Sequence, residues 1–119
     1  MIQILPQILI FVHRDYVDFR KGIDGLIGVC KYELRKDPMN GAMFVFSNRR
    51  RSGLKILVYD GQGYWVCHKR LSEGRIKYWP RGKGICIEML AKELQVLIYN
   101  GDPGSTKSQE EWRSVRAKS

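Results

Sequence analysis

Asp15, Asp18 and Asp24 are close enough in sequence to share a metal ion, and metal-activated water is one means of cutting a phosphodiester. Asp18 has a simpler role. It precedes an apolar pattern of helical period, where its carboxylate would accept from unpaired N–H groups of a first helical turn, and we expect it as an N-cap. His13 and His68 have no serine or cysteine beside them in a nucleophile arrangement. Cys67 and His68 are adjacent in an extended segment, so their side chains should point to opposite faces. Cys30, Cys67 and Cys86 make an odd count of three with no CxxC pair. That pattern fits reduced thiols in a cytoplasm better than a disulfide framework or a zinc site. The glycine pairs Gly61/Gly63 and Gly82/Gly84 lack the helix start that a nucleotide-binding loop needs. No catalytic residue, metal or cofactor is expected.

The charge pattern points elsewhere. The net charge is +9, and the stretch Arg49–Lys83 holds ten basic residues against two acidic ones, Asp60 and Glu73. A field so concentrated attracts a polyanion, and nucleic acid is the commonest polyanion in a cytoplasm. Arg49, Arg50 and Arg51 are expected at the tip of a hairpin, free to make bidentate phosphate contacts. Lys55, Lys69, Arg70, Arg75 and Lys77 are expected to extend that surface. The bland alternative is a solvated loop on a solubilising surface. Trp65 and Trp79 lie among these cations and could stack on bases, but we expect each in the core.

These residues need elements to position them. At 119 residues the chain fits one domain, and 44% hydrophobic with 28% charged residues is globular composition, not disorder. No apolar run approaches the ~18–20 residues of a membrane helix. The start, Met1–Val12, lacks a basic n-region and carries Gln3, Pro6 and Gln7, so no signal peptide is expected. Residues 8–12 predict a short strand. Ile23, Leu26, Ile27, Cys30 and Leu34 predict a helix over about residues 19–36, stopped by Asp37-Pro38. Gly22, Gly25 and Gly28 suggest either a face approached by another backbone or a merely weak helix. The period then falls to two. Strands are expected over residues 42–47, 54–59, 64–71 and 75–79, with a hairpin at Asp60-Gly61. Leu90, Leu94, Leu97 and Ile98 predict a second helix, stopped by Asn100-Gly101. The expectation is an α+β fold: an antiparallel meander of four to five strands with one or two amphipathic helices packed on one face. Residues 1–101 would form the domain and 102–119 a polar, mobile tail.

The run Asp18-Phe19-Arg20-Lys21-Gly22-Ile23-Asp24-Gly25-Leu26 resembles the D-M-R-K-G-x-D-G-L hallmark of the second open reading frame of the insertion sequence 66 family of bacterial transposable elements, with Phe19 where Met is usual. Gly41-Ala42-Met43-Phe44-Val45-Phe46-Ser47-Asn48-Arg49-Arg50-Arg51 is similar to the family's G-x-x-F-V-F-x-N-R-R-R, and Lys69-Arg70-Leu71 and Trp79-Pro80 continue the likeness in order. The resemblance covers about residues 8–101. It implies a TnpB-type accessory protein that helps a separate transposase, with Asp18, Arg20, Lys21 and Gly22 as motif residues.

Three functions follow as expectations. The first is a non-catalytic, DNA-binding transposition helper in the cytoplasm, acting on element ends or on duplex generally, with no membrane partner. The second is an adaptor that recruits the transposase. The third is a metal-dependent nuclease using Asp15, Asp18 or Asp24.

Overall fold

Five successive buried residues in Met43–Ser47 make a strand that must be covered on both faces. Ile10–His13 is likewise buried at every position. The computed structural model describes residues 7–104 and the backbone of residues 113–114, and it places these two strands at the centre of one sheet. In chain order the elements are β1 (Ile10–His13), α1 (Ile23–Tyr32), β2 (Met43–Ser47), β3 (Gly53–Tyr59), β4 (Tyr64–Arg70), β5 (Cys86–Glu88), α2 (Ala91–Ile98) and β6 (Arg113–Ser114). The six-stranded sheet has the order β4-β3-β2-β1-β5-β6.

The α+β class and the meander β2–β3–β4 are as expected, with Val45 opposite Ile56 and Ile56 opposite Cys67. Two features differ. β1 and β2 are parallel, Phe11 beside Phe44, because α1 carries the chain back across the sheet between them. The helices also take opposite faces rather than one. Leu26, Val29 and Cys30 of α1 pack with Phe11, Phe44, Phe46 and Leu57. Leu94 and Leu97 of α2 pack with Ile10, Val12, Met43, Val45, Leu54 and Ile56. β3 alternates Lys55 and Tyr59 with its apolar positions, which suggests a single buried face. β1 and β2 are apolar on both faces and need two covers.

Other boundaries move for local reasons. α1 begins at Ile23 with Gly22 as its N-cap residue, not at Phe19 behind Asp18. The Asp18 carboxylate is instead engaged by the Arg20 backbone N–H and guanidinium, within a turn closed by Lys21 N–H on Asp18 O. The helix stops before Asp37-Pro38, because Arg35 turns left-handed at φ 57° and Lys36 N–H reaches Cys30 O. Among the described residues no second backbone is seen against the glycine stripe: the three atoms nearest a Cβ on Gly25 all belong to the Lys21 side chain, the closest at 2.7 Å, so the glycines simply weaken the helix.

Residues 75–79 are not a strand. Ile76 N–H donates to Arg51 O, Lys77 N–H to Asn100 Oδ1, and the Trp79 indole to His13 O and Arg14 O. These bonds make the segment a strap across the end of the sheet. The place beside β1 goes to β5, which sequence periodicity did not reveal. α2 ends where expected: Asn100 turns left-handed at φ 62°. β6 lies within the expected tail, whose other residues from 105 onward fall outside the described residues.

The three cysteines are free thiols. Burial pushes Cys30 up to about 12 and Cys86 up to about 11, which makes both unreactive as nucleophiles. Among the described residues, no helix is long and apolar enough to cross a membrane.

Candidate nucleic-acid interface

The strand directions decide where the cations go. β1 and β2 run parallel, and β4 ends at Arg70 opposite Gly53, so four loops open at the same end of the sheet. They are the exit of β1 with Arg14, the β2–β3 turn with Arg49, Arg50 and Arg51, the strap with Arg75 and Lys77, and the entry to β5 with Arg81 and Lys83. Arg14, Arg51, Arg75, Lys77 and Arg81 line an open concavity of about 540 Å3, with Ile76, Trp79 and Pro80 as its apolar wall. Arg50 and Arg75 border a neighbouring hollow.

The eight expected cations divide into two kinds. Arg51, Lys55 and Lys69 are occupied inside the fold. Arg51 adopts φ 57° and swings its guanidinium back into the protein. There it donates to Asp15 O and Arg14 O, both at 3.2 Å, and to Ser47 Oγ, while its centre lies 5.1 Å from the Trp79 ring. Burial lowers its pKa, with nearby Asp15 opposing. Lys55 points to the α1 face, donates to Phe19 O at 2.9 Å and stands over the Phe19 ring, so it holds the motif turn. Lys69 points to the other face and donates to Ile98 O, satisfying a carbonyl of the last turn of α2.

Arg49, Arg50, Arg70, Arg75 and Lys77 are exposed. Arg49 lies over the Tyr16 ring at 5.8 Å. The side chains of Arg50, Arg70, Arg75 and Lys77 make no hydrogen bond or ion pair among the described residues, and none of the eight pairs with a carboxylate there. Arg70 lies on the α1 face of the edge strand, beside rather than within the concavity. Sequence reasoning left both Arg14 and Arg81 out of the expected contacts. The signal for Arg14 was position, one residue past the apolar run of β1.

The tryptophans part company. Trp79 is buried, as expected. Trp65 is 60% exposed, because it sits on edge strand β4 with its indole N–H on Asp60 Oδ2 at the far hairpin.

Of the motif residues, Asp18 and Arg20 form a pair at 2.7 Å, and Lys21 and Gly22 lead into α1. The Arg20 side chain holds the Asp18 carboxyl down at about 2. Backbone N–H groups of Gln62 and Gly63 similarly lower Asp60. Both carboxylates therefore favour the folded chain above pH 3.8, and that contribution is lost as pH falls through the folded-state values. We expect the melting temperature to fall between about pH 4 and pH 2, and Arg20→Ala to flatten that fall by returning Asp18 toward 3.8. Thermal melts of both proteins across this range check it; identical acid limbs count against it.

No group of three or more His, Cys, Asp or Glu side chains is arranged to hold a metal among the described residues. His13 is buried, with Nε2 3.2 Å from Glu33 Oε1.

Residues 8–107 match the family model described as "IS66 Orf2 like protein". The chain is 32% identical over 107 residues to the uncharacterized protein y4hO of Sinorhizobium fredii, covering 90% of each chain. It is 33% identical over 93 residues to the uncharacterized protein y4jC of the same organism, covering 78% of this chain and 79% of the other. No solved structure matches at a significant level.

Proposed function

The chain belongs to the IS66 Orf2-like family, which supports an accessory role in transposition, and from that premise we propose that it is a non-catalytic helper that binds DNA through the cationic end of its sheet. One observation carries the proposal. Arg14, Arg75, Lys77 and Arg81, from three separate segments, converge on one open concavity, and Arg50 stands beside it. A like-charged surface repels itself, and a polyanion relieves that repulsion by releasing its own counterions. The partner is DNA in the cytoplasm, at element ends or on duplex generally, beside the transposase.

A mobility shift comparing element-end duplex with random duplex at several salt concentrations, with and without transposase, tests this. Binding that weakens steeply with salt supports it. Absence of DNA binding, together with salt-insensitive capture of the transposase, would replace it with the adaptor role.

The carboxylates argue against cleavage. Asp18 is held by Arg20, and Asp15 and Asp24 join no ligand cluster among the described residues. Purified protein with magnesium or manganese should leave labelled duplex intact over hours. Metal-dependent cleavage that vanishes in a folded Asp18→Asn variant would overturn this.

A further inference from the structure

The cationic end also carries two exposed aromatic rings, Tyr16, with the Arg49 guanidinium 5.8 Å from its centre, and Tyr78. Tyr16 is 46% exposed and Tyr78 45%. Neither hydroxyl makes a hydrogen bond and neither ring packs on another ring among the described residues. The backbone on either side of each tyrosine is held by hydrogen bonds. Tyr16 lies between Asp15, whose carbonyl accepts from Arg51, and Val17, whose N–H donates to Ser47 O. Tyr78 lies between Lys77, bonded to Asn100, and buried Trp79. The Trp79 indole donates to Arg14 O at 3.1 Å, which ties the two tyrosine-bearing segments together, with Arg51 clamped between them. Neither ring lines the concavity itself, but each stands on a segment that does: Tyr16 two residues past Arg14, and Tyr78 between Lys77 and Trp79.

Duplex DNA presents phosphates to such a surface but keeps its base faces stacked. An unpaired strand presents both, and aromatic rings beside a cationic track are what free base faces bind. We propose that this end prefers an unpaired DNA strand to a duplex, with phosphates on Arg14, Arg75, Lys77 and Arg81 and a base stacked on Tyr16 and another on Tyr78. This rests on the DNA-binding function above and specifies the form of DNA.

Fluorescence anisotropy of the full chain tests it, using a labelled mixed-sequence strand of about 20 nucleotides and the duplex made from it, at matched salt. The strand should bind at least about thirtyfold more tightly, the lower end of the gain from stacking two bases. Tyr16→Ala/Tyr78→Ala should remove the preference and leave duplex affinity unchanged, while Tyr16→Phe/Tyr78→Phe keeps it, because the ring and not the hydroxyl does the stacking. Equal or tighter binding of duplex by the wild type overturns the inference, as does a preference that survives the alanine pair. If duplex still binds and Arg75→Ala/Lys77→Ala/Arg81→Ala weakens it, only the strand preference has failed. If neither form binds, the DNA function fails with it.

Discussion

The combined variant Arg50→Ala/Arg75→Ala/Lys77→Ala should bind duplex DNA at least about tenfold more weakly at physiological salt, with a log–log salt slope shallower by about three units. Each phosphate contact releases counterions worth roughly 0.9 of a unit in slope, so three lost contacts account for the change. Phosphate contacts carry no sequence information, so element ends and random duplex should lose affinity alike. The three side chains are exposed and make no hydrogen bond or ion pair among the described residues, so the melting temperature should not fall. Equilibrium titrations at four or more salt concentrations decide it. Unchanged affinity and slope would sink the DNA interface, and loss of transposase binding instead would favour the adaptor role.

Arg51 calls for the opposite expectation, although it stands next to Arg50 in sequence. Its guanidinium bonds to two backbone carbonyls and a hydroxyl and covers Trp79, so its removal acts on the fold. Trp79→Ala deletes a buried ring and leaves two carbonyls without their indole donor, a loss of roughly 3–5 kcal/mol. That is a large share of the 5–15 kcal/mol typical of a domain, and it should lower the melting temperature by more than about 10 °C. Arg51→Ala should cost roughly 1.5–3 kcal/mol through its lost charge-assisted bonds. The two losses should not add, since each residue supports the other. Calorimetry of both single variants and the double variant measures this. If Arg51→Ala melts normally yet loses DNA affinity, Arg51 is a phosphate contact and not a clamp. Alanine replacement of the whole Arg49–Arg51 run would mix the two effects.

The contrast shows where sequence patterns stop being informative. Leu54, Ile56 and Val58 alternate, and Asp60-Gly61 closes the turn, so the β3–β4 hairpin is legible from local residues alone. Leu94, Leu97 and Asn100 mark α2 for the same reason. The opposite placement of the helices is not local. It depends on Phe11 and Phe44 facing one way while Ile10 and Met43 face the other, which matters only once β1 and β2 lie side by side. The three residues of β5 are too short for a period to register, and the strap at 75–79 has strand-like composition but bonds to a turn and a helix cap. The cationic character of the site is readable in composition. Its division into clamping and free cations is not, because Arg49, Arg50 and Arg51 differ only in how the turn aims them.

The central position of β1 also sets the order in which the chain can fold. β2, β3 and β4 are joined by short turns and can zip together early. β1 waits for its second partner, since Val12 pairs with Ile87 across most of the chain. Topologies closed by such distant pairs fold slowly, because the loop must be ordered before the pairing rewards it. During synthesis Ile10–His13 leaves the ribosome before the strands it pairs with, and one edge stays open until Cys86–Glu88 arrives. A nascent chain stalled anywhere before Cys86 carries an apolar strand with a bare backbone edge, the feature that recruits other strands into aggregates.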